Sequence, residues 1–190
     1  MVPALFGIQQ LLEGGIWLSL HGQLPVDSCI SGAALTQAFT WFSQVFWPLF
    51  IPLAVGIMEP VARRRWAIAV MGMAGLTVAM LLLSFMQSSP VTAHIAGPHI
   101  TYDFSHRYVW AATFLYLAGT CVSPLLSSYR SVRLFGLVAL ASAVLTYAVF
   151  ETWFISVWCY FAGLMSCIML LHFYPEARHR VERAWTKRWA

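Results

Sequence analysis

Apolar residues gather along this chain into six long runs, at 2–20, 33–58, 66–86, 108–127, 132–150 and 153–174, with short polar breaks between them. A helix rising 1.5 Å per residue needs about 20 such residues to cross a hydrocarbon layer of about 30 Å. Each run meets that need, and each is too long for the apolar region of a cleaved signal peptide. The pattern predicts an all-α fold: a polytopic transmembrane helical bundle of six spans over residues 1–174. Residues 132–174 are too many for one crossing, so a tight turn is placed around "FETW". Pro48 and Pro52 in "FWPLFIPLAVG" predict a kink in the cytoplasmic half of span two. Gly72 and Gly75 in "MGMAG" predict close helix contact in span three. Only the connection at 87–107 is long.

The last stretch, 175–190, follows a different period. Pro175 suits a helix start. Ala177, Val181, Trp185 and Trp189 recur every four residues, with Arg178, Arg183 and other cations on the remaining faces. This predicts an amphipathic helix in the cytoplasmic interface, its indoles at headgroup depth and its cations on anionic lipid headgroups.

Composition agrees with the bilayer as solvent and partner. Hydrophobic residues make up 60% of the chain and charged ones 9%, with a mean hydropathy of +0.72; soluble domains carry about a quarter charged residues. The net charge of +4 would suit nucleic acid, but its placement argues against that partner. Arg63, Arg64 and Arg65 follow span two, and Arg130 and Arg133 follow span four. Arg178, Arg180, Arg183, Lys187 and Arg188 fill the tail, and only Arg107 lies on the opposite side. The positive-inside rule then puts the C-terminus in the cytoplasm and the loops at 21–32 and 87–107 outside.

Against this background the polar residues inside the runs stand out. Gln9, Glu13 and Trp17 share a helical face, with Gln10 adjacent. Glu13 falls about 16 Å along span one, in its outer half. An ionised carboxylate near the bilayer centre costs at least about 2.5–3.5 kcal/mol, so Glu13 is expected to be protonated or to face donors in the bundle interior. Span two offers Gln37, Trp41 and Gln44 at i, i+4, i+7, and span five offers Tyr147 and Glu151 near its outer end. These nine residues define an expected outward-opening, ligand-binding polar pocket centred on Glu13. Interhelical glue, worth about 0.6 kcal/mol per bond, is the reading given to Ser43, Thr113 and Thr120. Glutamine would serve as glue without the risk of a buried charge, so Glu13 reads as functional.

Other chemistry is thinly represented. In "AHIAGPHITYDFSH", His94, His99, Asp103 and His106 combine ligands suited to zinc or copper. Their spacings fit no compact motif, and solvated side chains are the plainer reading; the same loop is long enough to fold back as a lid. No cofactor is identifiable. The only lysine is Lys187, which removes a buried Schiff base, and GxSxG, HExxH, HxxxH and phosphate-loop motifs do not occur. Cys29 lies in an outer loop, while Cys121, Cys159 and Cys167 fall within spans and are expected to pack as small apolar residues. Glu59, followed by Pro60 and then Arg63 to Arg65, reads as a carboxylate paired with basic neighbours.

At "PALFGIQQLLEGGIWL", "FWPLFIPLAVGIMEP" and "SVWCYFAGLMS" the chain resembles an uncharacterised family of bacterial integral membrane proteins, over most of residues 3–170. The resemblance implies the cytoplasmic membrane but no activity. It also implies a further N-terminal span opening with Cys-Phe-Ser, hence seven spans in the full-length protein, with a cysteine there as a conceivable partner for Cys29. Three functions are compatible with these residues. One is binding of a small amphiphile or ion at Glu13. Another is an intramembrane enzyme using Glu13 as a protonated general acid on a lipid-like or isoprenoid substrate. The third is a non-catalytic subunit or sensor acting through the tail.

Overall fold

The helices lie where the apolar runs are. A computed structural model describes residues 2–23, 31–97, 99–103, 109–149 and 156–167. Helix α1 is Val2–Leu20, α2 is Gly32–Met58 and α3 is Ala62–Ser88. A β-hairpin follows, with β1 at Thr92–Ala96 and β2 at His99–Asp103. Helix α4 covers 109–125, α5 is Arg130–Val149 and α6 is Ser156–Cys167. The fold is mostly helical. Among the described residues, Gly32–Met58, Ala62–Ser88 and Arg130–Val149 are long and apolar enough to cross a membrane. Their outward faces are apolar too, with Leu53, Ile57, Met73, Met80 and Leu145 exposed. The turn expected around residues 150–153 and the interfacial helix expected at 175–190 lie outside the described residues.

The prolines reshape α2 and α4 in the same way. In α2 the turn Phe42–Phe46 is π-helical, and Trp47 N–H reaches back five residues to the Phe42 carbonyl, just before Pro48. In α4 the turn Ala118–Val122 is π-helical, and Ser123 N–H reaches the Ala118 carbonyl, just before Pro124. Proline lacks the N–H for an i−4 bond and its ring crowds that carbonyl; a wider preceding turn relieves both. Pro52 likewise offers no N–H to the Pro48 carbonyl, and this oxygen faces α3 and α4 at Gly75 and Gly119. A Cβ on Gly75 would overlap the Pro48 oxygen, whereas one on Gly72 would make ordinary contact with Pro52 at 3.5 Å. The predicted close approach therefore centres on Gly75.

The stretch read from sequence as a loop is the exception to an all-α fold. His94 pairs with Thr101 and Ala96 with His99, and the turn passes through Gly97 at φ 64°. With a two-residue side-chain period, His94, His99, Thr101 and Asp103 share one face of the hairpin. Ile100 and Tyr102 take the other and bury against Ile16 of α1, Phe39 and Val45 of α2, and Ala79 and Met86 of α3. Gln37 Nε2 donates to the Val91 carbonyl at 3.1 Å and fixes the hairpin's first strand to α2. A second core, of Phe6, Trp47, Ile51, Val55 and Ile68, lies deeper in the bundle.

Candidate functional site

Glu13 sits where α1 passes beneath the hairpin. The Tyr102 hydroxyl donates to Glu13 Oε1 at 3.2 Å, and the Ser156 hydroxyl at the start of α6 also bonds the carboxyl. The Tyr102 ring stacks on Phe39, centroids 4.9 Å apart at 16°. Burial first, then the adjacent Glu13, pushes the Tyr102 hydroxyl well above its ordinary range, which keeps it a donor.

One turn along α1 from Glu13, Gln9 is fully buried. Its Oε1 accepts from Trp47 Nε1 at 2.6 Å, and Trp47 stacks on Phe6 at 4.0 Å. The Gln9 side chain also meets the Cys159 thiol of α6, and Gln10 Nε2 is buried without a hydrogen-bond partner. A half-open cavity of about 40 Å³ is walled by Phe6, Trp47, Tyr116, Trp158, Cys121 and Cys159 among others. Five helices contribute to it: α1, α2, α4, α5 and α6.

The other residues expected at the pocket divide. Trp17 is half-buried and packs on the outer core, its ring tilted against His21 at 4.7 Å. Gln37 is occupied by the Val91 carbonyl and serves the hairpin. Trp41 is 44% exposed and packs on Phe42 and Phe46, so it faces away from Glu13. Gln44 lies within the π-helical turn Phe42–Phe46. Tyr147 meets Trp110 edge-on at 5.8 Å, and Glu151 lies outside the described residues. Ser43 and Thr120 bond carbonyls of their own helices, Thr40 O and Tyr116 O, in place of the expected glue; the bond between helices is Tyr116 Oη to Ser43 O at 2.6 Å. His94 and Asp103 form an exposed pair at 3.1 Å on the outer hairpin face, which His99 shares. His106 lies outside the described residues, and among those described no group of three or more His, Cys, Asp or Glu could hold a metal ion.

The profile of a family of unknown function (DUF6629) matches residues 1–186. The chain belongs to that family. No curated protein and no solved structure matches it. DUF6629 membership thus brings no activity with it, and the chemistry rests on side chains.

A second carboxylate of this DUF6629 chain, read from the sequence as paired with its basic neighbours, has other partners. Glu59, in the turn between α2 and α3, is fully buried and does not pair its carboxylate with Arg63, Arg64 or Arg65. It accepts instead from Ser127 Oγ at 3.2 Å, Ser128 N at 2.6 Å, Val61 N at 3.2 Å and the Ser128 hydroxyl. Arg65 donates to the Glu59 backbone carbonyl at 2.9 Å and Arg64 to the Ser127 carbonyl at 3.1 Å. Two inter-helix turns are thereby laced together. Burial pushes the Glu59 carboxyl up, but donors from Ser128, Val61 and Ser127 outweigh it and hold its pKa down at about 2. The serine pair in "LLSSYR" was the available signal.

Proposed function

We propose that this DUF6629 protein is a six-span protein of the bacterial cytoplasmic membrane that binds a small amphiphile or ion in a polar pocket centred on Glu13. Its basic turns and C-terminus face the cytoplasm, and the hairpin roofs the pocket on the outer side. The observation that carries the reading is a carboxyl roofed by the hairpin one turn from a fully buried amide, with Cys159, a wall of the cavity, interacting with both. A few convergent polar groups next to an apolar cavity are the usual marks of a small-ligand site. The mostly apolar walls favour an amphiphile over a bare ion.

Native mass spectrometry of the protein released from nanodiscs tests this, with wild type beside Glu13→Ala. A discrete added mass on wild type that the variant lacks is the expected result. Equal occupancy in both samples, or bare protein in both, would end the reading.

A further inference from the structure

Arg64 and Arg65 are each anchored by a backbone carbonyl. Arg64 Nη1 donates to Ser127 O at 3.1 Å, and Arg65 Nε and Nη2 donate to Glu59 O at 3.1 and 2.9 Å. A carbonyl orients a guanidinium without cancelling its charge, and a guanidinium has five N–H donors to distribute. The nearby carboxylate does not cancel that charge either, because Glu59 is buried and its oxygens are engaged by Ser127, Ser128 and Val61. Among the described residues no carboxylate pairs with Arg63, Arg64, Arg65, Arg130 or Arg133. Arg130 opens α5 three residues after the carbonyl that holds Arg64, so the two laced turns bring exposed cations to one end of the bundle.

The cations give way to apolar surface. Trp66 follows Arg65 and is 73% exposed, and Tyr129 precedes Arg130 and is 49% exposed. From Arg130 the same face of α5 runs through Leu134 and Leu137 at i+4 and i+7, both exposed. Oriented cations, then amphipathic rings, then hydrocarbon is the order in which a phospholipid presents phosphate, glycerol and acyl chain. A free phosphate has no use for the apolar part.

We propose that the turns between α2 and α3 and between α4 and α5 together hold the phosphate of an anionic phospholipid. The N–H donors that Arg64 and Arg65 do not give to carbonyls meet the phosphate oxygens, for which the planar guanidinium fork is suited. Arg130 adds positive charge, and an acyl chain lies along Leu134 and Leu137. The lipid thus ties together from outside the two turns that Glu59 joins from within. The site is separate from the basic tail, and it rests on the membrane-spanning part of the reading above and not on the Glu13 pocket.

The test uses the full chain, stripped of lipid in detergent micelles and titrated in native mass spectrometry with dioleoylphosphatidylglycerol or dioleoylphosphatidylcholine. The two lipids share chains and phosphate, and only the first carries a net charge. Wild type is expected to bind the first anionic lipid about tenfold more tightly than the zwitterionic one, as a cation or two at a charged surface would give. Arg130→Gln, which removes neither carbonyl anchor, should lose most of that preference. Arg64→Gln should do the same, with phosphatidylcholine binding unchanged in both. Arg178→Gln with Arg183→Gln in the tail should keep it, as should Glu13→Ala in the pocket. Equal binding of the two lipids by wild type would overturn the assignment, as would a preference lost only with the tail arginines. Loss in Arg64→Gln with Arg130→Gln behaving as wild type would also sink it, by tracing the effect to the backbone of the turn. Inorganic phosphate, compared with chloride at matched ionic strength, should leave the lipid preference intact; its disappearance would mean a site for free anions and end the lipid assignment. Equal lipid binding alongside a native ligand that Glu13→Ala sheds would remove this site and leave the pocket standing.

Discussion

The Tyr102 ring stacks on Phe39 while its hydroxyl donates to Glu13, so the two contributions separate by substitution. Tyr102→Phe keeps the ring and is expected to cost about 1 kcal/mol, one hydrogen bond. Tyr102→Ala also opens the outer core and is expected to cost about 3–5 kcal/mol. Chemical denaturation in micelles measures both, and equal losses would mean that the hydroxyl does nothing for stability. Glu59 adds a pH dependence with a definite sign. Its folded pKa, about 2, is below the unfolded value of 4.5, so the carboxylate stabilises the fold fully above pH 4.5. That contribution fades as pH falls from 4.5 towards 2. The melting temperature of wild type should therefore converge on that of Glu59→Gln across this window, and a constant gap would refute the assignment. At this scale the sequence was half legible. The polarity of Glu13 and Gln9 set them apart in the sequence, because hydrocarbon tolerates such groups only for a reason. The role of Glu59 was hidden, because all its donors but the Val61 N–H are backbone and hydroxyl groups 68 and 69 residues away.

Between elements, the Pro48 carbonyl, Gly75 and Gly119 form a junction of α2, α3 and α4 that tolerates no added atom. Gly75→Ala is expected to destabilise by about 1–3 kcal/mol through overpacking. Gly72→Ala, with a contact of 3.5 Å waiting for its methyl, should stay within about 0.5 kcal/mol of wild type. Thermal unfolding of the two variants side by side decides the matter, and equal stability would remove the junction's importance. Hydropathy read the helices nearly to the residue in α1 and α2. It could not see the π-turns, which leave composition untouched and alter only the backbone register. Trp41, 44% exposed, and Gln44 fall where α2 runs into that irregular turn. The hairpin was half-visible: "TAHIAGPHITYD" carries a Gly-Pro turn, but its alternation is too polar on one face and too short to outweigh the neighbouring helical runs.

At the scale of the whole molecule, charge gives the expected orientation of the proposed membrane bundle. Arg63 to Arg65 and Arg130 lie at the end opposite the hairpin, so the hairpin is expected outside the cell. In a cysteine-free background, Ile95→Cys should react with a membrane-impermeant maleimide on intact cells and Tyr129→Cys only after permeabilisation. Both positions are exposed, so the reverse order would invert the topology. The contact between Tyr102 and Glu13 also constrains biosynthesis. The two residues are 89 positions apart, and a ribosome adds about 5–20 residues per second. In a chain threaded into the bilayer as it is made, Glu13 enters about 4–18 s before its roof has been translated. During that interval the carboxyl has neither Tyr102 nor Ser156 and must remain near water, hold a proton, or be sheltered by the insertion machinery. On the proposed topology, the seating of the first helix waits on a loop made long after it.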